Sequence, residues 1–386
     1  MKICKMGVWD DSIPGINFDS EGVSNYAKIQ LALMEAYPRG KHGEKDWAEI
    51  VKNVKANSPK KSKYDCVVGV SGGVDSSYLL YILKVKYNLN PLAVNLDNGW
   101  NSDIAVKNIK KVTKALDIDL ETYVINYEEI KDLMRSYMLS GLPWIDTPTD
   151  SAIKSVMYKV AKEIGVKYIF RGNDFRSEGK QPTEWTYSDY KQLNYVHKRF
   201  GKLRKLKTYP YLSLSKIFVN GLFFRMKDIR PFYYLDYDKA KARNFLEKEY
   251  NWEYYGGHHH ENLFTKFVMS YWLPEKFGID KRKISLSAQV MSGHITKKEA
   301  LNELSIPTSS EGEFSKVKEF VLSKLDFTEK EFDDIWNSEN KTYRDYPSNY
   351  QLLETLKNRF GVFIKLIYPQ KPMTFVAMEV NKNEEK

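Results

Sequence analysis

The sequence predicts an α/β fold: a doubly wound, open, mostly parallel sheet with helices on both faces, continued by a largely helical C-terminal lobe. Three observations predict it. Residues 65–70 form a continuous apolar run suited to a central strand buried on both faces. Residues 64–170 alternate strand-like and helix-like patterns in a βαβα rhythm. After residue 180 that rhythm gives way to helical periodicity.

In chain order, residues 1–60 are heterogeneous, with a turn at 17–22, short helices at 27–37 and 46–56, and a linker at 57–63. The first strand at 65–70 carries Cys66 as a small buried hydrophobe. The helix at 75–87 places Leu79, Leu80 and Leu83 on one side, and a second strand follows at 92–96. The helix at 103–116 has a stripe of Ile104, Ile109, Val112 and Leu116. A third strand at 120–125 leads to a helix running through Met138, then a helix at 151–164 and a fourth strand at 166–170. Later helices are expected at 213–223, 238–250, 260–272, 296–303, 313–323 and 349–359. The expected organisation is an N-terminal segment 1–60, a nucleotide-binding domain 61–180, and a mainly helical lobe 181–386 that completes the active site.

Bulk properties narrow the class. The chain has 386 residues, 42 % apolar and 28 % charged, which suits a protein with a real core. Two cysteines, Cys4 and Cys66, cannot build a disulfide framework. No signal-like or membrane-spanning apolar stretch stands out, so a cytoplasmic enzyme without membrane insertion is expected. The net charge of +10 favours anionic partners without choosing among them.

The densest chemistry lies at 71–77, Ser-Gly-Gly-Val-Asp-Ser-Ser, directly after the first strand. Gly72 and Gly73 let the backbone turn close to a ligand, and N–H groups at the following helix start suit phosphate oxygens. Ser71, Ser76 and Ser77 add short donors. A bare carboxylate would repel phosphate, so Asp75 reads as a helix N-cap or a Mg²⁺ contact. The spacing fits neither Gly-x-x-x-x-Gly-Lys-Ser/Thr nor a dinucleotide fingerprint. The second strand ends in Asn95, Asp97, Asn98 and Gly99, placed to meet ribose or adenine, with Asp97 a further metal contact; an Asx turn is the plain alternative. The fourth strand ends in Arg171, Gly172 and Asn173, facing the same crevice. His258, His259 and His260 follow Gly256 and Gly257, where they could meet an anion or move a proton. Lys281 and Arg282 could stabilise departing pyrophosphate.

Residues 71–77 resemble the signature of the PP-loop ATP pyrophosphatase superfamily, whose fold is adenine nucleotide alpha hydrolase-like. The resemblance implies a mostly parallel five-stranded sheet, use of ATP with Mg²⁺, adenylation of a substrate oxygen, and displacement of AMP by a nitrogen or sulfur nucleophile. Residues 95–100, 252–267, 271–283 and 292–296 are together similar to the N-acetyl sugar amidotransferase family of lipopolysaccharide and O-antigen biosynthesis. That resemblance implies a nucleotide-linked acetamido sugar as substrate, an acetamidino product, and ammonia from a separate glutaminase paired with a cyclase-like protein. A homo-oligomer is compatible with it.

The chain departs from that family at its N-terminus. Where members often carry four zinc-binding cysteines, it has Cys4, Gly7, Ser24 and Ala27. One thiol does not make a Cys₄ site, so no zinc is expected there, and Trp9, Phe18 and Tyr26 are expected to hold the region by packing. Two rival readings remain. A tRNA-modifying enzyme would use the same adenylation on a base, with the basic run at 198–207 gripping RNA, although no RNA-binding module accompanies it. A non-catalytic nucleotide-binding protein would hold ATP without turnover.

Overall fold

A computed structural model describes residues 2–257, 260–308, 311–355 and 370–384. Its centre is a five-stranded parallel sheet in the order β3-β2-β1-β4-β5. The strands are β1 (Cys66–Gly69), β2 (Pro91–Asp97), β3 (Leu120–Val124), β4 (Tyr168–Phe170) and β5 (Lys227–Ile229). Residue reading located the first four. The fifth is a three-residue strand supplied from beyond residue 180, too short to leave a period-2 signature.

Alternate strand residues feed two cores, as the pleat requires. Val67, Leu92, Val94 and Ile169 point into one, while Cys66, Val68, Ala93, Tyr168 and Phe170 point into the other. Helices α1 (Asn25–Ala36), α2 (Lys41–Ala56), α3 (Val74–Tyr81) and α4 (Asp103–Ala115) contribute Leu33, Trp47, Leu79 and Ile109 to the second core. Helices α5 (Tyr127–Leu139) and α6 (Thr147–Glu163) contribute Leu133 and Val156 to the first. The expected helix at 75–87 divides: α3 stops at Tyr81 and the chain continues as a π-helical turn over Ile82–Lys86.

The remaining helices are α7 (Phe175–Glu178), α8 (Thr183–Thr186), α9 (Tyr190–Phe200), α10 (Leu214–Leu222), α11 (Lys239–Tyr250), α12 (Leu263–Phe267), α13 (Arg282–Met291), α14 (Lys297–Ser305), α15 (Glu311–Lys324), α16 (Glu329–Asn337) and α17 (Met373–Glu384). Of these, α7, α8, α9, α13, α16 and α17 lie outside the expected helices. Helix α12 runs into a π-helical stretch, Val268–Lys276, that contains Pro274. Residues 350–355 are helical, and the rest of the helix expected at 349–359 lies outside the described residues.

At the N-terminus, packing and hydrogen bonds involve Cys4, Gly7, Ser24 and Ala27, the four positions where the resemblance implies cysteines. Cys4 and Ala27 are fully buried. The Ser24 N–H donates to Cys4 Sγ at 3.3 Å, and Ser24 Oγ caps α1 by accepting from Ala27 N–H at 3.2 Å. A Cβ at Gly7 would lie 2.8 Å from the Trp9 ring. Trp9 and Tyr26 are buried and Phe18 packs at the edge of the same core.

Candidate active site

The sheet order reverses beside β1, and the crevice opens there, beyond the carboxyl ends of the strands. Ser71, Gly73, Asp75 and Ser76 line a cavity of about 680 Å³ at this point. Gly72 has φ +82°, and an added Cβ would lie 2.4 Å from the carbonyl oxygen of Ala105 on α4. Only glycine allows that backbone approach. The turn is tied internally: Gly73 N–H donates to Ser71 Oγ at 3.3 Å, Ser71 N–H donates to Ser76 Oγ at 3.3 Å, and Ser76 Oγ donates to Gly73 O at 3.3 Å. Ser77 is buried, with its N–H bonded to Gly73 O at 3.1 Å.

Gly73, not Asp75, is the N-cap of α3 and has no side chain to cap it, while the Tyr255 hydroxyl bonds the backbone of Val74, the first residue of the helix. The helix start offers its other backbone N–H groups beside this cavity, a fit for phosphate oxygens. Asp75 sits one residue into the helix and is held from the other side. Tyr237 OH donates to one of its oxygens and Lys239 Nζ lies 2.9 Å from the other. Burial would lower the Lys239 ammonium pKa, but the Asp75 carboxylate outweighs it and holds the group above its ordinary value. Gly172 belongs to the same junction, since a Cβ there would lie 2.8 Å from the Asp75 carbonyl carbon. Asn173 Nδ2 donates to the Glu178 carboxylate at 3.2 Å.

The wall beyond β2 uses Asn95 and Asn98. Asn98 Nδ2 donates to Thr149 Oγ1 at 3.1 Å, and its Oδ1 accepts Trp100 N–H at 3.1 Å. Asp97 closes an Asx turn, accepting Gly99 N–H at 2.9 Å, and Gly99 takes φ +78°. Asp97 and Gly99 stand outside the cavity lining, so the two expected Mg²⁺ contacts, Asp75 and Asp97, do not face the cavity together. Asp75 lines it with its oxygens given to Tyr237 and Lys239.

A second cavity of about 1010 Å³ adjoins the first. Lys154, Arg171, Lys239 and Lys281 line both, together with Glu178, so a seam with four cations and one carboxylate lies between the two cavities. Arg171 pairs with Asp228 of β5, Nε to Oδ1 at 2.9 Å. Lys281 Nζ sits 3.7 Å from the Trp144 ring centroid. Arg282 instead grips Asp280 at 2.8 Å and the carbonyls of Glu303 and Ile306, on the rim of the larger cavity. His260 lines the larger cavity, with Nε2 3.5 Å from Ser270 Oγ. His258 and His259 lie outside the described residues. Arg176 is buried and donates to Tyr233 O at 3.2 Å, a structural role far from a surface charge.

Sequence reasoning missed a strap from the C-terminal lobe that crosses the phosphate loop. Trp252 Nε1 donates to Gly72 O at 3.0 Å. Ser71 Oγ donates to Glu261 Oε1 at 3.4 Å, and Ser102 N–H donates to Glu261 O at 2.9 Å. A Cβ at Gly73 would lie 3.1 Å from Tyr255 OH. Lys154, Tyr237 and Lys239 were missed too. None sits in a recognisable motif, and only the fold brings them to the loop.

The cations give the site a pH signature. Burial pushes the ammonium pKa of Lys154 down to about 8, reinforced by Arg171, and burial pushes that of Lys281 to about 8. Both are charged below that value and neutral above it. Affinity for a polyphosphate should therefore fall as pH rises from about 7 to about 9, by up to about tenfold per unit for each lysine. Calorimetric titration with MgATP across that range checks it, and a flat profile would show that these lysines do not face the phosphates.

Known proteins match the chain in parts. Residues 60–173 match the asparagine synthase family, and residues 261–357 match the LPS biosynthesis protein WbpG-like, C-terminal domain family. An uncharacterized protein of Methanocaldococcus jannaschii is 31 % identical over 147 residues, 37 % of this chain and 50 % of that protein. The tRNA-specific 2-thiouridylase MnmA 2 of Fusobacterium nucleatum subsp. nucleatum is 27 % identical over 171 residues, 42 % of this chain and 46 % of that protein. The chain thus spans about half the length of these curated relatives. Among solved structures, NH3-dependent NAD synthetase from Campylobacter jejuni is 12 % identical, covering 65 % of this chain and 96 % of that one, with a TM-score of 0.32.

Proposed function

We propose that this chain, a PP-loop ATP pyrophosphatase (adenine nucleotide alpha hydrolase-like) superfamily member with a WbpG-like C-terminal domain, is an ATP-dependent, AMP-forming ligase. Its finer reading is an amidotransferase acting on a nucleotide-linked acetamido sugar. The observation that carries the reading is the glycine-capped start of α3 beside the smaller cavity, which Lys239, Lys154 and Lys281 also line. Such a cradle suits a departing diphosphate, and the adjoining cavity suits the group that receives AMP. The acetamido oxygen attacks the α-phosphorus and pyrophosphate leaves. Ammonia then adds to the activated carbon and AMP leaves, so that C=O becomes C=NH. The chain's residues hold phosphates, offset charge and keep water from the adenylate.

What supports the sugar is the WbpG-like match over 261–357, the region that supplies Glu261, Asn262 and Lys281 to the site. Ammonia would come from a separate donor protein or from solution. Neither cysteine is placed to act as a glutaminase nucleophile: both are fully buried, and burial pushes the Cys66 thiol pKa well up.

A second reading is adenylation of a tRNA base. It is favoured by curated relatives that match about two fifths of this chain, which include two tRNA-specific 2-thiouridylases. The buried thiols weigh against a version that carries sulfur on this chain.

The test supplies ATP, Mg²⁺ and ammonium with a panel of UDP-acetamido sugars in one arm and unmodified tRNA in the other, read by mass spectrometry. The expected result is AMP, pyrophosphate and a sugar in which =O has become =NH. AMP formation that depends on tRNA would replace the sugar reading by the second one. ADP formation, or no turnover in either arm, would overturn both.

A further inference from the structure

The net charge of +10 is concentrated in one stretch. Between Asp189 and Asp228 there are ten Lys and Arg residues and no Asp or Glu, so the rest of the chain is balanced. Part of the stretch is the basic run at 198–207. Two carboxylates bind its backbone, and Asp326 and Glu331 lie within electrostatic reach of Lys202. Asp132 accepts the N–H groups of Lys202 and Leu203 at 2.8 and 3.1 Å, and Glu129 accepts that of Thr208 at 3.0 Å. Lys202, Arg204, Lys205 and Lys207 stand exposed.

The same stretch contains α10, which has two unlike sides. Leu214 and Ile217, with Leu212 just before the helix, line the smaller cavity. Only Asn220 and Gly221 of the helix are buried. Its far end presents Val219 (42 % exposed), Leu222 (46 %), Phe223 (79 %) and Phe224 (40 %) to solvent. One exposed apolar side chain is ordinary, but four within residues 219–224 make a patch. Its surround is basic: Lys162 Nζ lies 4.3 Å from the Phe224 ring centroid, and Lys216 and Arg225 are exposed at either end.

We propose that the end of α10 and the Phe223-Phe224 pair dock this protein on an anionic phospholipid bilayer. An apolar tip with a cationic surround is the chemistry of an interfacial helix. The tip enters the headgroup and acyl boundary, while Lys and Arg meet the negative surface potential. Among the described residues no helix is long and apolar enough to cross a membrane, so the contact is peripheral. A second copy of the chain is a poorer occupant, because two-fold pairing would bring two acid-free basic segments together. RNA would satisfy the cations but leave Val219 and Leu222 wet.

Co-sedimentation tests the proposal. The full chain should pellet with phosphatidylglycerol–phosphatidylcholine vesicles and stay in solution with phosphatidylcholine alone. Raised salt should release it. A Leu222→Ser, Phe223→Ser double variant should lose about tenfold or more of the partitioning. A Lys216→Glu, Arg225→Glu double variant should lose about as much. Both should keep the parent melting temperature and nucleotide binding, because all four side chains are exposed. Failure to pellet, equal binding to neutral vesicles, or unchanged partitioning of both variants would overturn it. So would a light-scattering dimer, or tRNA binding, that the serine variant abolishes without any vesicle binding by the parent.

Discussion

Asp75→Asn is expected to lower ATP-dependent AMP formation by about a hundredfold, the scale of losing one charged stabilising contact in an active site. The carboxylate has two structural neighbours, Tyr237 and Lys239, and both line up on the phosphate loop through it. Without the charge, burial dominates at Lys239 and pushes its pKa down, so the lysine reaches the triphosphate neutral for more of the time. The fold should survive, because a lysine with an open side in the cavity can release its proton. Lys239→Met should cause a comparable loss. The double variant should be no worse than about the larger single loss, since the two act as one unit. Steady-state AMP formation in all three variants checks the coupling. Additive losses, or activity near the parent value in Asp75→Asn, would mean that the pair is only structural.

The second large effect falls on stability. Gly72→Ala should destabilise the protein by roughly 2–5 kcal/mol, the left-handed backbone and forced overpacking taken together. At φ +82° the new Cβ would sit 2.4 Å from Ala105 O, and a main-chain oxygen on α4 cannot swing away as a flexible side chain would. Gly15→Ala is the control. Gly15 has φ +66° and nothing within 4 Å of an added Cβ, so it should cost only the backbone part, roughly 1–2 kcal/mol. Urea denaturation of the two variants separates the contributions. Equal losses would show that the close approach of α4 to the phosphate loop is not what requires glycine at 72.

The positions of the first four strands along the chain and the place of the phosphate loop were legible because their signals are local. A strand buried on both faces must be a continuous apolar run, and 66–69 is one. The glycines at 72 and 73 announce a turn whatever surrounds them. Other parts were illegible for physical reasons. β5 is three residues long and is held by pairing with β4, not by its own pattern. The break of α3 into a π-helical turn leaves no trace in periodicity over so few residues. Asp97 shows the limit at the site: Asp-Asn-Gly serves equally as a ligand contact or an Asx turn, and its side chain caps Gly99.

By itself the amino-acid sequence determined the parallel α/β sheet, the bend after the first strand and the charge balance, since each is set by residues close together in the chain. Tertiary structure alone decided what faces that bend. Lys154, Lys239, Tyr255, Glu261 and Lys281 come from four separate stretches, and packing of the C-terminal strap and α11 against the sheet brings them to one cavity. The physical reason is one of range. Backbone geometry and hydrophobic periodicity act over a few residues, whereas the field at a site is summed over every group that folding brings near it.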